Sequence, residues 1–138
     1  MAISAAFPSA SQLEALQLLC PSGNTYKCAL YTSAATLGEA STVYTTSGEV
    51  TGTGYTAGGA TLTGYAVSLD GTVAILDFAD PSWANSTITA RGAVIYDATN
   101  GNKIRAVLDF GADIVSTNGP FTVNLPAPAA ATAVIKIA

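Results

Sequence analysis

The side chains that could do chemistry in this 138-residue chain are nine carboxylates and two cysteines, because the sequence contains no histidine. Without histidine, neither a Ser-His-Asp nor a Cys-His catalytic arrangement can form, and a histidine-ligated zinc site is excluded as well. Cys20 and Cys28 are too few for a disulfide framework. The N-terminus lacks the charged start and apolar core of a signal peptide, so we expect a reducing compartment and two thiols.

Carboxylates in pairs can hydrolyse glycosides, and clusters of them can hold Ca²⁺. The carboxylates that could serve are Asp77, Asp80, Asp97, Asp109 and Asp113. Each falls at a predicted strand end or turn, where aspartate is favoured because its side chain hydrogen-bonds the nearby backbone. No spacing in the sequence brings them together. We therefore expect no catalytic residue, no metal and no cofactor, and a protein that is not an enzyme.

A run of glycines between Gly52 and Gly59 suggests a phosphate-binding loop by composition alone. A P-loop needs a lysine that reaches the phosphates, and no lysine lies between Lys27 and Lys103. The glycine spacing also departs from the dinucleotide-binding pattern. We expect a glycine- and threonine-rich loop or a bulged strand here.

Charged residues make up only 10% of the chain, against about 25% in typical globular proteins. Five basic and nine acidic residues give a net charge of −4, which excludes nucleic-acid binding through a basic patch. The hydrophobic fraction of 49% excludes intrinsic disorder as the main state. No apolar run reaches the ~18 residues of a membrane span. A surface this poor in charge suits a protein packed against other subunits.

A short N-terminal helix is predicted over residues 11–19, after an arm formed by residues 1–10. Ser11 is the expected N-cap, and Glu14 three residues on gives the spacing of a capping box. Pro21 stops the helix.

Five apolar residues of this N-terminal region are candidate contacts with a partner surface. Leu13, Leu16 and Leu19 form a one-sided stripe on the helix, and Ile3 and Phe7 of the arm have no evident partner in the chain. A helix of ~9 residues does not persist alone in water, so it needs a surface to pack on. That surface is either the chain's own β domain or a neighbouring molecule.

The rest of the chain reads as β structure. Turn signals recur every 8–12 residues, with hairpin turns expected at Asp70-Gly71 and Asn100-Gly101. The predicted strands cover residues 26–32, 62–69, 72–78, 86–96, 103–110, 121–125 and 132–137. This pattern predicts an all-β fold, an antiparallel β-sandwich or jelly roll with a short N-terminal helix. We divide it into an arm and helix (1–24) and a β-sandwich domain (25–138), with a long excursion over residues 33–61.

Several predicted strands are apolar on both faces, which one sandwich core does not explain. Val134 alternates with Ile135 and Ile137, and Ala106 and Val107 point to opposite faces. An apolar outer face in a monomer is an aggregation risk. A homo-oligomer, or attachment to a larger host surface, is the economical interpretation.

Residues 27–37 (KCALYTSAATL) are similar to the K-x-A-L-Y-T-S-x-A-T-L opening of small structural proteins of tailed bacteriophages. The similarity continues through residues 44–50, the glycine run and residues 77–93, and it covers most of residues 26–138. The resemblance implies a virion protein made in the host cytoplasm, and it brings no catalytic motif. Its first 25 residues are more variable, and Cys28 stands where the family often has isoleucine.

Within a virion, the role that the resemblance implies is capsid decoration. Such a cement protein, expected as a homotrimer, binds the outer head surface where subunits of the major capsid protein meet. Ile3, Phe7, Leu13, Leu16 and Leu19 are then candidate contacts with the capsid or an adjacent subunit. The alternative is a head-fibre base or tail adhesin module that binds a host surface glycan. That alternative expects Trp83 and the six tyrosines to be exposed, whereas tyrosines at alternating strand positions are more often core or interface.

Overall fold

The computed structural model describes residues 2–137, and over that range the chain forms one helix and seven strands. The elements are α1 (Ser9–Leu19), β1 (Tyr26–Tyr31), β2 (Ala60–Thr61), β3 (Ala66–Asp70), β4 (Val73–Asp77), β5 (Ser82–Asp97), β6 (Lys103–Thr122) and β7 (Ile135–Ile137). All strand pairs are antiparallel and form two sheets. The predicted all-β fold with a short N-terminal helix is confirmed.

The chain divides into two compact units, each of which has its own sheet. One unit takes residues up to 23, Gly64–Phe78 and residues from 125 onward, and the other takes Asn24–Thr63 and Ala79–Asn124. The arm and helix therefore share their unit with β3, β4 and β7, whereas the sequence suggested a separate segment of residues 1–24.

In the smaller unit, α1 packs on a three-stranded sheet of order β3-β4-β7. The hairpin of β3 and β4 closes at the pair Asp70 and Val73, so the turn residues are Gly71 and Thr72 rather than the predicted Asp70-Gly71. Gly71 has a φ of 62°, a conformation that glycine adopts without strain. Leu16 of the helix and Leu76 of β4 are fully buried in this unit.

The helix begins two residues earlier than predicted. Its N-cap is Pro8, whose carbonyl accepts hydrogen bonds from the N–H groups of Ser11 and Gln12, and no side chain caps this end. The capping-box prediction at Ser11 is wrong, because Ser11 lies within the first turn of the helix and its own N–H donates to the Pro8 carbonyl. The helix ends at Leu19, ahead of Pro21, as expected.

In the larger unit, a four-stranded sheet has the order β2-β1-β5-β6. β1 lies inside this sheet, and all of its residues except Lys27 are buried. The core includes a cluster of Ala29, Tyr31, Val94 and Tyr96 from β1 and β5. β5 and β6 form the long hairpin that the Asn100-Gly101 signal predicted, although the turn spans residues 98–102 between Asp97 and Lys103.

β6 joins two predicted strands, 103–110 and 121–125, into one element that ends at Thr122. The predicted end of the first of these strands, after residue 110, nevertheless coincides with a β-bulge in β6. Gly92 of β5 faces Asp109 and Ala90 faces Ile114, so residues 110–113 have only Arg91 opposite them. Gly111 in this bulge has a φ of 78°, which explains why a glycine stands there. Pro120 does not end the strand, because β6 is an edge strand whose outer side needs no N–H donor.

The excursion over residues 33–61 is irregular up to β2, which forms its last two residues, and it is tied to the sheet. Isolated bridges pair Tyr31 with Glu49, Val43 with Lys103 and Thr53 with Thr87. These bridges join the excursion to β1, β5 and β6.

Candidate functional site

The five predicted contact residues lie in two environments. Ile3 is 92% exposed and Phe7 is 56% exposed in the extended arm, and Leu19 is exposed at the end of the helix. Leu13 is half-buried, and Leu16 is fully buried. Leu16 therefore serves the packing of its own unit, because a side chain without exposed surface has none to offer a partner. The role of the exposed residues as contacts stays a prediction.

The most highly organised polar site was not predicted, and its centre is the carboxylate of Glu49. This carboxylate is only 9% exposed. Its Oε1 accepts a hydrogen bond from the Tyr44 hydroxyl at 2.7 Å, and its Oε2 accepts from the Tyr55 hydroxyl at 2.5 Å and from the Gly58 N–H at 2.9 Å. A buried charge is tolerated only where hydrogen bonds of this kind replace those of water. We call Glu49, Tyr44, Tyr55 and Gly58 the Glu49 cluster.

Two further tyrosines extend the Glu49 cluster into the sheet. The Tyr31 hydroxyl of β1 donates to the Thr45 carbonyl at 2.6 Å, and the Tyr96 hydroxyl of β5 donates to the Gly58 carbonyl at 2.6 Å. The Tyr44 ring stacks on the Tyr96 ring at a centroid distance of 4.8 Å. The hydroxyls of Tyr31 and Tyr96 thus hold the excursion to the sheet at Thr45 and at Gly58.

The surroundings of these tyrosines keep their hydroxyls protonated. Burial raises the pKa of Tyr31 to about 12. Burial, followed by the hydrogen bond to Glu49, also raises the pKa of Tyr44 and of Tyr55. Burial and the Glu49 charge raise the pKa of Tyr96. A carboxylate whose oxygens already accept three hydrogen bonds from neutral donors is arranged to hold structure rather than to exchange protons with a substrate.

A sequence signal for this cluster existed but is weak. Glu39 and Glu49 are the only charged residues between Lys27 and Asp70. A lone acid in a long uncharged stretch that contains tyrosines is a candidate for burial, since tyrosine hydroxyls are good donors to a carboxylate. Only the fold, however, distinguishes Glu49 from the exposed Glu39.

Two of the five aspartates considered for catalysis, Asp97 and Asp109, have structural hydrogen bonds in the larger unit. Asp97 is fully buried and accepts hydrogen bonds from the Asn24 amide and from the N–H groups of Thr99 and Asn100, so it fixes the β5–β6 turn. Asp109 is opposite Gly92, five residues along β5 from Asp97, which separates them by roughly 16 Å. Within residues 2–137, no three side chains of His, Cys, Asp or Glu are close enough together to hold a metal ion.

Asp109 instead braces the β-bulge of β6. Its carboxylate accepts from the Arg91 guanidinium at 3.1 Å and from the Gly111 N–H at 2.8 Å. The Gly111 hydrogen bond, followed by the bond to Arg91, lowers the pKa of Asp109. Both side chains of the ion pair are exposed, so the pair adds little to stability.

The glycine run packs against the sheet as a loop, the first of the two expected forms, and Thr53 alone forms a bridge. A Cβ atom on Gly59 would lie 1.9 Å from the Cys28 carbonyl oxygen, and one on Gly54 would lie 2.2 Å from the Asn85 carbonyl oxygen. Both glycines have a positive φ. They are required because two backbone segments approach closely, and no phosphate is needed to explain them.

A line of aromatic rings leads from the Glu49 cluster to the surface. Ring centroids are 5.8 Å apart for Tyr55 and Trp83, 6.2 Å for Trp83 and Phe121, and 6.3 Å for Phe121 and Phe110. The line ends at an open cleft of about 370 Å³ whose apolar lining is Phe110, Ile114, Phe121 and Val123. We call this the β6 cleft.

None of the six tyrosines is exposed, and Trp83 is only 8% exposed. The aromatic side chains therefore belong to the core, and they provide no open stacking platform of the kind a sugar-binding face requires.

Cys20 and Cys28 form no disulfide, in agreement with the expected thiols. Both side chains are fully buried. Burial raises the pKa of the Cys28 thiol to about 12, so this thiol is unreactive at neutral pH.

Comparison of the chain with protein-family models, with curated proteins and with solved structures gives no match. Over residues 2–137, no helix has the length and apolar character needed to cross a membrane.

Proposed function

We propose that this chain is a structural protein of a phage particle, and that it decorates the outer surface of the head as a cement protein. In this role it is a homotrimer that binds the major capsid protein where capsomers meet. It stabilises those junctions passively, by burying surface, and it carries out no reaction. The resemblance of residues 27–37 to virion proteins of tailed phages motivates the proposal.

The observation that carries the proposal is that each unit exposes large apolar side chains although the chain is only 10% charged. Ile3, Phe7 and Leu18 are exposed in one unit, and Ile114 and Val115 are exposed in the other. Apolar residues that adjoin one another at a surface mark an interaction site, and Ile114 and Val115 are adjacent in the chain. The Glu49 carboxylate, in contrast, accepts three hydrogen bonds from within the chain, which supports a structural rather than an enzymatic role.

The adhesin alternative lacks a supporting observation. A glycan site built on Trp83 and the tyrosines needs exposed rings, and these rings are buried or half-buried. We therefore keep capsid decoration as the single proposal.

Immunogold electron microscopy of particles purified from an infection in which the chain is made tests the proposal directly. Label distributed over the head supports decoration. Label at the tail tip, or particles without label, would overturn it.

A second test measures rebinding. Heads stripped of the protein are mixed with the purified chain. The temperature at which the heads release their DNA is measured with and without the chain. A cement protein raises that temperature, whereas equal release temperatures at saturating protein contradict the proposal.

A further inference from the structure

Two asparagine-glycine steps in this chain have the same local sequence. Asn100-Gly101 and Asn118-Gly119 both follow a threonine, and the structure places the first in the β5–β6 turn and the second within β6. An asparagine that precedes glycine can lose its side-chain amide without an enzyme, since glycine has no side chain to hinder the approach of its own backbone nitrogen. Because the local sequences agree, the two sites compare the effect of the fold on this reaction.

The reaction is an intramolecular substitution followed by hydrolysis. The backbone nitrogen of the glycine attacks the side-chain carbonyl carbon, Cγ, of the asparagine. The new N–Cγ bond closes a succinimide ring, the Cγ–Nδ2 bond breaks, and ammonia leaves with the proton of the glycine N–H. Water then opens the ring at either carbonyl, which gives aspartate or isoaspartate, and no oxidant or reductant takes part.

At Asn100 both reacting groups are accessible. Asn100 and Gly101 are exposed, and among residues 2–137 neither the Asn100 side chain nor the Gly101 N–H has a hydrogen-bond partner. Gly101 has a φ of 62°, and a Cβ atom on it would meet no atom within 4 Å, so the space around this residue is open. The turn is held instead at the N–H of Asn100, which donates to the Asp97 carbonyl at 3.2 Å. The side chain and the following nitrogen are therefore able to approach each other.

At Asn118 contacts with β5 oppose the same approach. The Asn118 N–H donates to the Thr87 hydroxyl at 3.0 Å, and this hydroxyl donates to Asn118 Oδ1 at 3.4 Å. Gly119 pairs with Ser86 of β5, and its carbonyl accepts from the Ser86 hydroxyl at 3.0 Å. The asparagine side chain and the glycine backbone are thus both held to the neighbouring strand. Their approach requires local opening of the sheet, which lowers the rate.

We propose that Asn100 is a site of spontaneous deamidation in the folded chain, that Asn118 is protected from the same reaction by β5, and that conversion of Asn100 loosens the excursion at Tyr44. The reaction needs only water as a co-reactant. It is therefore independent of the capsid role and of any partner.

The effect on the excursion follows from where the turn is attached. The Asn102 carbonyl in this turn accepts from the Tyr44 N–H at 2.9 Å, and the Asn100 carbonyl accepts from the Lys103 N–H at 3.3 Å. In isoaspartate the main chain runs through Cγ and gains one carbon, and the former carbonyl of residue 100 becomes a carboxylate outside the main chain. The bond that closes the turn is then lost, so the Asn102 carbonyl is no longer held in position for Tyr44.

Ageing of the full-length protein in a mildly alkaline buffer, followed by tryptic peptide mapping, tests the two sites together. Cleavage after Lys103 and Arg105 puts Asn100 and Asn118 in different peptides, and mass spectrometry resolves the replacement of NH2 by OH. The same incubation in urea gives the rates without the fold. We expect Asn100 to convert about tenfold faster than Asn118 in the folded chain, and the two rates in urea to agree within about threefold.

Thr87→Ala removes the hydroxyl that holds Asn118 and should raise the rate at Asn118 in the folded chain. Thr89→Ala is the matched control, because Thr89 is also an exposed threonine of β5, and it should leave that rate unchanged. Equal rates at Asn100 and Asn118 in the folded wild type, or no conversion at Asn100, would overturn the assignment. An unchanged rate at Asn118 in Thr87→Ala would overturn its protection by β5.

The isoaspartate form tests the effect on the excursion. Ion exchange separates it from the unaged chain, because it carries one more negative charge. Amide hydrogen exchange at Tyr44 should be faster in this form, while exchange at Leu76 of β4 is the internal control and should stay the same. Unchanged exchange at Tyr44 would show that the turn does not hold the excursion.

Discussion

At the scale of single residues, Glu49 has the largest effect on how the chain is organised. Its one carboxylate joins Tyr44 and Tyr55 and the Gly58 backbone, all of which belong to an excursion with little regular structure of its own. Removing one partner of a buried charged hydrogen bond costs more than the bond contributes, because the remaining groups lose their hydration as well. Glu49 therefore ties three points of the excursion together, in addition to the bridges that join the excursion to the sheet.

Replacing Glu49 by glutamine should lower the free energy of unfolding by about 1–3 kcal/mol, because the new amide group faces hydroxyl donors. Glu39→Gln is the control, since Glu39 is exposed and its loss should change the free energy by no more than about 0.5 kcal/mol. Urea denaturation followed by tryptophan fluorescence measures both. Equal midpoints for the two variants would show that the Glu49 cluster does not stabilise the fold.

The tyrosines around Glu49 predict a loss of stability in alkali. Burial raises the pKa of Tyr31 to about 12, and the pKa of Tyr44, Tyr55 and Tyr96 is raised as well. An unfolded tyrosine loses its proton near pH 10, whereas the folded one keeps it. The stabilisation is therefore complete below about pH 10 and is lost as the pH rises through about 12.

Urea midpoints measured from pH 8 to pH 12 check this expectation, together with the ultraviolet absorbance of tyrosinate. The midpoint should stay level and then fall above about pH 10. Ordinary tyrosine titration near pH 10 in the folded chain would contradict it.

At the scale of elements, the glycine run acts as the close contact between the excursion and the sheet. Gly59 has a φ of 79°, and its backbone lies directly against Cys28 and Ala29 of β1. Its missing side chain is thus as important to the placement of β2 as the two pairs that join β2 to β1.

Gly59→Ala should destabilise the chain by about 3 kcal/mol, since it combines an unfavourable φ with a clash against backbone that cannot rotate away. Gly23→Ala is the matched control, because a Cβ on Gly23 meets no atom within 4 Å. Thermal unfolding by calorimetry compares the two. A Gly59→Ala variant as stable as the control would mean that β1 and the glycine run are less closely packed than described.

The elements also show what the sequence could predict. Alternating residues and turn signals were sufficient for β1, β4 and the β5–β6 hairpin, because period and turn chemistry are local properties. The continuity of β6 was not predictable, since Gly111 reads as a break and only pairing with β5 carries the strand past it. The start of α1 was misplaced because Ser11 lies within the first turn of the helix, where its N–H donates to the Pro8 carbonyl.

The candidate site was predictable only in part, for a similar reason. Exposure of Ile3 and Phe7 agrees with an arm that has no partner of its own, but the burial of Leu16 depends on the sheet beneath the helix. The Glu49 cluster and the two tyrosines that extend it, Tyr31 and Tyr96, lie far apart in the sequence. No local sequence pattern predicts contacts between such distant residues.

At the scale of the whole molecule, the low charge determines how copies approach one another. Nine acidic and five basic residues leave few charges to keep neighbours apart, and the isoelectric point is about 4.3. Mutual repulsion is weak at neutral pH and disappears near the isoelectric point.

Solubility should therefore pass through a minimum near pH 4.3, measured as turbidity at a fixed protein concentration from pH 3.5 to pH 8. A variant with Ala40→Lys and Ala57→Lys, both at exposed positions, should move that minimum to a higher pH. An unchanged minimum in this variant would indicate that local unfolding, rather than net charge, causes the precipitation.

The strand order has a consequence for synthesis on the ribosome. β5 and β6 pair across the short turn at residues 98–102, whereas β1 pairs with β5 across a gap that runs from Tyr31 to Gly92. Closing a loop of that length costs about 2 kcal/mol more entropy than closing the turn, by the logarithmic dependence on loop length. β1 leaves the ribosome first and is apolar on both faces, yet its main partner is translated some 60 residues later. A nascent chain therefore holds this largely buried strand without its main partner while those residues are made, which makes β1 a segment that a chaperone would have to shield.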